Sequence, residues 1–170
     1  EKATYRQLGK LECDDQIAAA RYFAKQPWVD AQRIGIFGWS FGGYLSSLAI
    51  TRGADVFKAA VAVAPVINWR FYDSIYTERF LGSPAENPDG YDQNSPENHA
   101  AKLVGNYLLI HGTADDNVHY QNAAVMAKRL VDLNKDFEFI TYTDKNHGIS
   151  GGKTRLQLFT KITGFLQKNL

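Results

Sequence analysis

The chain has 170 residues, of which 45% are hydrophobic, and this length and apolar content suit one folded domain. Its 19 Lys and Arg residues nearly balance its 18 Asp and Glu residues, so the composition argues against a nucleic-acid partner or a basic membrane-binding face. Cys13 is the single cysteine, which excludes an intrachain disulfide.

The sequence contains no candidate for a targeting or membrane segment. No run approaches the roughly 18 apolar residues of a membrane span. Residues 1–5 lack the features of a signal peptide. We expect neither a metal ion nor a cofactor.

The first half of the chain alternates helical and extended segments. Asp14 or Asp15 is the predicted cap of a helix over residues 16–26, which stops before Pro27. Strand, helix and strand in succession predict parallel pairing with right-handed crossovers. The segments that show this order are a strand at 33–37, a helix at 44–50 and a second strand at 57–64.

The second half continues the alternation after an interruption. Residues 82–98 are rich in Gly, Pro, Asn and Asp, which predicts an ordered excursion over the surface. The later segments are a strand at 106–111, a helix at 123–133, a strand at 137–142 and a terminal helix. In that helix one apolar stripe is predicted, made by Leu156, Phe159, Ile162 and Phe165 or Leu166. The whole pattern predicts an α/β fold with about four parallel strands flanked by helices.

The most informative motif is the Gly-Trp-Ser-Phe-Gly pentapeptide at 38–42, between a predicted strand and a predicted helix. This G-x-S-x-G pattern is typical of a nucleophile elbow, a sharp turn that lifts a serine hydroxyl above the sheet edge. Gly38 and Gly42 suit the turn because glycine has no Cβ to clash where two backbones approach. Ser40 is therefore the predicted nucleophile, and the Phe41 amide is one predicted oxyanion donor.

A catalytic serine needs a base and an acid, which in this architecture follow it in the order serine, acid, histidine. Asp115 lies just past the predicted strand at 106–111, and His147 is the first histidine beyond the strand at 137–142. Because parallel strands end at one edge of the sheet, these positions predict that Asp115 orients His147.

Other residues compete for both roles. Asp116 adjoins Asp115, and one of the two could instead cap a helix that begins near Val118. His111 ends a strand that is expected to be central, where a structural hydrogen bond is the commoner role. His99 and His119 are most simply surface residues.

An aromatic segment follows the second strand and is expected to lie beside the elbow. It brings Trp69, Phe71, Tyr72 and Tyr76 close to the serine. Aromatic walls with polar tips suit a flat, apolar group such as a proline ring. Ordinary core packing beneath a loop is the alternative interpretation.

Four separate stretches resemble the dipeptide-releasing members of the prolyl oligopeptidase family. The similarity runs from about Gln7 to the end of the chain, with the motifs in the family's order. The stretches are residues 38–44, 72–80, 111–119 and 142–149. The resemblance implies the C-terminal part of an α/β-hydrolase catalytic domain.

The resemblance also implies roles for individual residues. Ser40, Asp115 and His147 match the catalytic triad, in agreement with their spacing. Asn117 matches a side chain that holds the carbonyl of the penultimate substrate residue, and Arg79 matches a position near the anchor of the substrate amine. The positions that match the pocket for the proline side of the scissile bond are Val66, Trp69, Tyr72, Tyr76 and Val118. The implied reaction releases X-Pro or X-Ala dipeptides from peptide N-termini through an acyl-enzyme.

The departures from the family pattern concern what lies outside these residues. The resemblance implies a sheet of about eight strands. It also implies that a tyrosine hydroxyl, located upstream of these residues, is the second oxyanion donor. The glutamates that bind the substrate amine would lie in a β-propeller. We therefore expect the isolated chain to be weakly active or inactive. With four strands, one sheet edge is unpaired, so this edge or the terminal helix is expected to mediate self-association.

Several alternatives remain open from the sequence. A tripeptide-releasing relative is the nearest, because the choice depends on glutamates outside the chain. An esterase or acylaminoacyl-type hydrolase could use the same fold, and a non-catalytic assembly unit is a third possibility. The resemblance implies a homodimeric parent enzyme that is exported to the periplasm, the cell surface or the medium.

Overall fold

The computed structural model describes residues 2–170 and contains one parallel sheet. The strand order is β1-β2-β3-β4, which confirms the prediction of four parallel strands flanked by helices. The strands are β1 (Gly35–Trp39), β2 (Ala59–Val63), β3 (Asn106–Gly112) and β4 (Glu138–Tyr142).

Helices connect and cover the strands. They are α1 (Lys10–Phe23), α2 (Phe41–Arg52), α3 (Ser74–Leu81), α4 (Pro88–Asp92), α5 (Pro96–His99), α6 (Gln121–Asp132) and α7 (Thr154–Asn169). Two 3-10 turns, Trp69–Phe71 and Ala100–Lys102, precede α3 and β3. None of the helices within residues 2–170 has the length and apolar character needed to cross a membrane.

The first helix begins earlier than the sequence predicted. Its cap is Gly9, not Asp14 or Asp15, and the Gly9 amide donates to the Glu12 carboxylate over 2.9 Å. Gly9 has a φ of 91°, a left-handed conformation that glycine adopts without strain. The prediction was wrong because glycine has no capping side chain and so leaves a weaker signal in the sequence than Asp14 and Asp15 do.

The sheet has a separate apolar core on each face. Alternate side chains of β2 point to opposite faces, so Ala60 and Ala62 join one core and Val61 and Val63 join the other. The first core contains residues of α1, α2 and α6, and the second contains Leu158, Ile162 and Phe165 of α7. Both faces of the sheet are thus covered, as parallel sheets require.

The predicted stripe on α7 is partly wrong. Ile162 and Phe165 are buried as expected, but Leu156 is 71% exposed and Phe159 is 44% exposed. Leu158 takes the remaining buried position, because residues 158, 162 and 165 share the helical face that lies against the sheet.

The predicted excursion over residues 82–98 is ordered and contains α4 and α5. The Asn87 side chain ties it to the chain's beginning by donating to the Arg6 carbonyl over 2.9 Å. Tyr91 and Ser95 are buried and anchor the segment against the rest of the fold.

Candidate active site

The candidate site lies at the carboxyl edge of the sheet. Trp39 pairs with Val63 and Val63 with Ile110 in register, so β1, β2 and β3 end near one level. Ser40 directly follows β1, Asp115 lies three residues beyond β3, and His147 lies five residues beyond β4. The three predicted catalytic residues therefore all follow strands at the carboxyl edge of the sheet.

Ser40 occupies a strained turn between β1 and α2. Its backbone has φ 58° and ψ −118°, outside the regions that L-residues prefer. Its amide donates to the Val63 carbonyl over 2.8 Å, which fixes the turn to the neighbouring strand. This is the conformation expected of a nucleophile elbow, in which the strain is held by the surrounding fold.

The glycine requirement of the elbow differs in part from the prediction. A Cβ on Gly38 would lie 2.7 Å from the Gly42 Cα, so the crowding predicted at Gly38 is real. A Cβ on Gly42, by contrast, would meet no described atom within 4 Å. Crowding instead affects Gly43, whose added Cβ would lie 2.7 Å from the Val63 carbonyl oxygen. The neighbouring strand β2 causes this second constraint.

The Phe41 amide opens the N-terminal turn of α2. Amides in a first helical turn lack intrahelical acceptors, and the helix dipole makes this end favourable for negative charge. The arrangement suits a donor to an oxyanion, and this role of the Phe41 amide stays a prediction.

The loops after β3 and β4 are bound to each other. The Thr113 amide donates to the Tyr142 carbonyl and the Ala114 amide donates to the Lys145 carbonyl, each over 3.0 Å. These bonds bring Asp115 beside His147, and the Asp115 Oδ2 accepts from the His147 Nδ1 over 2.8 Å.

Asp115, rather than Asp116, holds the acid position. Its second oxygen, Oδ1, accepts from the amides of Asn117 and Val118 over 3.0 and 2.9 Å. Asp115 therefore shapes its own turn and contacts His147 at the same time, whereas Asp116 is exposed. The following helix begins only at Gln121, and no side chain caps it.

The environment of Asp115 favours the charged carboxylate. Burial by itself raises the pKa of Asp115, but hydrogen bonds from His111, His147 and the Asn117 amide outweigh burial and hold that pKa well below its usual range. A carboxylate that stays ionised can fix the tautomer of His147 and stabilise its protonated form.

The His147 loop is also held from the side of the elbow. The Trp39 indole Nε1 donates to the His147 backbone carbonyl over 2.9 Å, which places the histidine beside the residue next to Ser40. Among the hydrogen bonds of residues 2–170 none joins the Ser40 hydroxyl to His147. Such bonds are often long without substrate and shorten in the reactive complex.

The remaining histidines make contacts of a different kind. His111 is fully buried and its Nε2 lies 2.8 Å from the Val118 carbonyl, which is a structural hydrogen bond of the predicted kind. His99 is half-buried and contacts the Gln93 carbonyl, and His119 is exposed. Within residues 2–170 no group of three or more His, Cys, Asp or Glu residues is arranged so that it could hold a metal ion.

Aromatic rings cluster next to the elbow. The Trp69 ring stacks near Tyr76 with centroids 5.8 Å apart and meets Tyr72 edge-on at 5.9 Å. Trp69 is buried, whereas both tyrosines are half-buried and can offer a face to a ligand. Val66 and Val118 are buried nearby in the same core. All five residues that the resemblance assigns to a pocket thus lie in or against one apolar core, and their role as a pocket stays a prediction.

The sequence of this chain matches a known family over its whole length. The model for the prolyl oligopeptidase family matches residues 1–170. The chain belongs to the prolyl oligopeptidase family.

Individual relatives agree with this assignment. The chain is 50% identical over 170 residues to prolyl endopeptidase FAP of Homo sapiens and 46% identical over 169 residues to dipeptidyl peptidase 4 of Felis catus. Each match covers 98% of this chain and 22% of the relative. The crystal structure of Porphyromonas gingivalis dipeptidyl peptidase 4 superimposes with a TM-score of 0.98 at 53% identity, covering 99% of this chain and 24% of that one. The chain therefore spans less than a quarter of these proteins and has the α/β-hydrolase fold of this family's catalytic domain.

Asn117 and Arg79, two further residues to which the resemblance gives a role, line two different cavities of this member of the prolyl oligopeptidase family. Asn117 lines a cavity of about 730 Å³ together with Arg70, Tyr72 and His119. Ser40 and His147 are not among the lining residues of this cavity. Arg79 instead lies over the Phe80 ring and lines a separate cavity of about 400 Å³.

The sequence did not predict the roles of two residues near the site of this family member, Asn122 and Trp39. The buried Asn122 accepts from the Ile67 and Asn68 amides over 2.8 and 3.3 Å and so holds the segment that leads to Trp69. Its only sequence signal is an amide in the first turn of a helix. The sequence assigned no role to Trp39, because its contact to His147 crosses 108 positions of the chain.

Proposed function

We propose that this chain carries the catalytic triad and the proline pocket of a serine exopeptidase that releases X-Pro or X-Ala dipeptides from peptide N-termini. In this proposal Ser40 is the nucleophile, His147 the general base and Asp115 the orienting acid. The observation that carries it is the 2.8 Å bond from His147 to a buried, charged Asp115 at the sheet edge where Ser40 sits in its strained turn.

The chemistry proceeds in two acyl-transfer steps. Ser40 Oγ attacks the scissile carbonyl while His147 Nε2 takes its proton, and the oxyanion accepts a hydrogen bond from the Phe41 amide. His147 then protonates the leaving amine, which leaves an ester between Ser40 and the dipeptide. A water molecule, deprotonated by His147, hydrolyses that ester and restores Ser40.

The aromatic cluster supports the preference for proline or alanine at the residue before the cut. Tyr72 and Tyr76 meet edge-on with centroids 5.4 Å apart, and Trp69 closes the base of the cluster. In the proposal a proline ring or an alanine methyl group packs against the half-buried rings of Tyr72 and Tyr76. In the proposal Val66 and Val118 complete its apolar wall.

Asn117 is proposed to bind the carbonyl of the penultimate residue. The Tyr72 hydroxyl donates to the Asn117 Oδ1 over 2.8 Å, which leaves the Asn117 amide hydrogens free to donate to a ligand. Arg79 is proposed to lie near the anchor of the substrate's free amine. Its position over Phe80, on the cavity that also contains Tyr5, puts it at the outer end of the aromatic cluster.

We further propose that the chain is the C-terminal part of the catalytic domain of a longer enzyme, called the parent protein below. Support comes from the coverage, since the human relative is matched over 22% of its length. A second oxyanion donor and the amine-binding groups would come from the rest of that protein. Loss of one oxyanion donor lowers kcat by about 100- to 1,000-fold, so the isolated chain is expected to be nearly inactive.

The central experiment compares substrates on the parent protein. We expect turnover of Gly-Pro-p-nitroanilide, its loss in Ser40→Ala, and little turnover of the same compound with a blocked N-terminus. Faster cleavage of the blocked compound would indicate an endopeptidase, the activity that the human relative's name states. Preference for a tripeptide or for a short acyl ester would contradict dipeptide release and favour those alternatives.

Assembly and location follow as secondary proposals. We propose a homodimeric, exported parent protein, and a tendency of the isolated chain to self-associate through the β1 edge or α7. Phe37 on the edge strand β1 is 45% exposed, and α7 exposes Leu156, so both surfaces offer apolar area. Sedimentation of both proteins and fractionation of the producing cells test these points; a monomeric, cytosolic parent protein would contradict them.

A further inference from the structure

We propose that His111 is a positioning residue for the catalytic acid, and that the contact of its Nε2 with the Asp115 oxygen that orients His147 holds this oxygen in place. The inference rests on the proposed function only as far as the triad is concerned, and it does not depend on the choice of dipeptide substrates.

The geometry places three residues around one carboxylate oxygen. The Asp115 Oδ2 accepts from the His147 Nδ1 over 2.8 Å and lies 3.2 Å from the His111 Nε2. The side chains of His111 and Asp115 have no exposed surface, whereas the side chain of His147 is 23% exposed. Oδ2 is therefore held between a buried imidazole and the imidazole that reaches the site.

The neighbours of His111 determine which nitrogen carries the proton. Its Nε2 faces two acceptors, the Asp115 carboxylate and the Val118 carbonyl at 2.8 Å. Since neither can donate, Nε2 is the protonated nitrogen. The other nitrogen, Nδ1, is buried and has no hydrogen-bond partner within residues 2–170.

The unpartnered Nδ1 is difficult to explain by packing alone. Burying a polar atom without a partner is unfavourable, and an apolar side chain in this position would avoid it. Two features of His111 cannot be reproduced by an apolar side chain: the hydrogen bond from Nε2–H to the Val118 carbonyl, and the polar contact of Nε2 with the Asp115 Oδ2 at 3.2 Å. We infer that the histidine at this position serves to hold the Asp115 carboxylate.

The contact acts by immobilising the carboxylate. The amides of Asn117 and Val118 hold Oδ1, and the fully buried His111 contacts Oδ2 over 3.2 Å. With both oxygens fixed, the carboxylate plane cannot tilt when His147 moves toward Ser40. Through Val118, His111 also ties the acid loop to a wall of the proposed proline pocket.

Two replacements separate the hydrogen bond from the packing. His111→Leu fills the space without a donor, whereas His111→Gln restores an N–H near the position of Nε2. Tyr107→Phe is the matched control, because it removes another buried hydrogen bond of the same strand, the 2.7 Å contact to Ser47, far from Asp115. All three variants are made in the parent protein, and their unfolding transitions are measured alongside.

The readout is the rate at which a fluorophosphonate probe labels Ser40, together with kcat and KM for Gly-Pro-p-nitroanilide. We expect His111→Leu to lower the labelling rate and kcat by about tenfold with little change in KM, as the loss of one hydrogen bond to a charged group predicts. His111→Gln is expected to recover most of both rates. Tyr107→Phe is expected to keep them while losing comparable stability.

Wild-type labelling by a folded His111→Leu protein would overturn the proposal, as would an equal loss of labelling in Tyr107→Phe. If His111→Leu does not fold, His111→Asn replaces it, because the shorter asparagine side chain does not reach Asp115. Equal labelling rates for His111→Asn and His111→Gln would then contradict the proposal. Labelling without dipeptide release would contradict the proposed substrate class and still test His111.

Discussion

Trp39 and His147 are joined by a hydrogen bond of 2.9 Å from the indole Nε1 to the histidine's backbone carbonyl. Trp39 is the last residue of β1, and His147 lies in the loop that follows β4. These two strands form the opposite edges of the sheet. Arg155 of α7 lies over the same indole at 5.1 Å, so one ring connects the elbow, the histidine loop and the terminal helix. The candidate base is thereby held from both its backbone and its side chain.

Replacing Trp39 by Phe should lower kcat of the parent protein by about fivefold, because the loss of a hydrogen bond worth about 1 kcal/mol loosens the His147 loop. Steady-state kinetics with Gly-Pro-p-nitroanilide measure the effect, and KM should change little. Arg155→Gln is the control, since it removes the cation over the ring and leaves the indole donor. An equal loss in both variants would assign the effect to the cation instead.

The three glycines of the elbow should respond differently to alanine. Gly38→Ala and Gly43→Ala force overlaps with the Gly42 backbone and the Val63 carbonyl, so we expect poor folding or at least 100-fold slower fluorophosphonate labelling, an order-of-magnitude figure for a displaced nucleophile. Gly42→Ala meets open space and should retain most labelling. A damaging Gly42→Ala would show that the parent protein places another segment beside this position.

The pair Tyr72 and Asn117 should act as a unit in substrate binding. Tyr72→Phe removes the donor that orients the Asn117 amide, so we expect KM for Gly-Pro-p-nitroanilide to rise about fivefold, in line with one hydrogen bond. Asn117→Ala should raise KM further. In the double variant the two effects should be far from additive, and strict additivity would mean that the two side chains bind substrate independently.

The Asp115 carboxylate should make the free energy of unfolding depend on pH in the acidic range. Its folded-state pKa lies below the ordinary value of about 3.9, so the unfolded chain binds a proton first as the pH falls. Its contribution is therefore complete above about pH 5 and decreases below about pH 4. Denaturation of the parent protein should show Asp115→Asn to be less stable by about 2 kcal/mol at pH 7. The gap between the two proteins should narrow toward pH 3; a constant gap would contradict the carboxylate's role.

Cys13 should be inert in the native protein. It is fully buried in α1, and burial raises the pKa of its thiol to about 11. Because the thiolate is the reactive form, iodoacetamide at pH 8 should modify Cys13 about 100-fold more slowly in the native state than in urea. Mass spectrometry of the peptide containing Cys13 gives the rate. Fast native modification would show that α1 opens locally.

The main elements and the candidate triad could be read from the sequence because each depends on short stretches. Strong apolar runs predicted all four strands, and the pentapeptide predicted Ser40. Asp115 and His147 followed, since parallel strands deliver the loops after them to a common edge. Their roles stay predictions until Ser40 labelling is measured.

Long-range contacts explain what the sequence did not predict. The start of α1 depends on a left-handed Gly9, and the need for glycine at position 43 arises from β2, which is distant in sequence. Which side of α7 is buried depends on where the helix meets the sheet, so Leu158 replaces Leu156.

The sequence by itself determined the fold class and the strand-turn-helix motif at Ser40, because local periodicity and backbone sterics encode both. Only the tertiary structure decided that Asp115 and not Asp116 meets His147, that His111 lies behind Asp115, and that Trp39 holds the His147 loop. The reason is physical: each of these choices depends on which side chains from separate strands converge within hydrogen-bonding distance, about 3 Å, a scale that spacing along the chain does not specify.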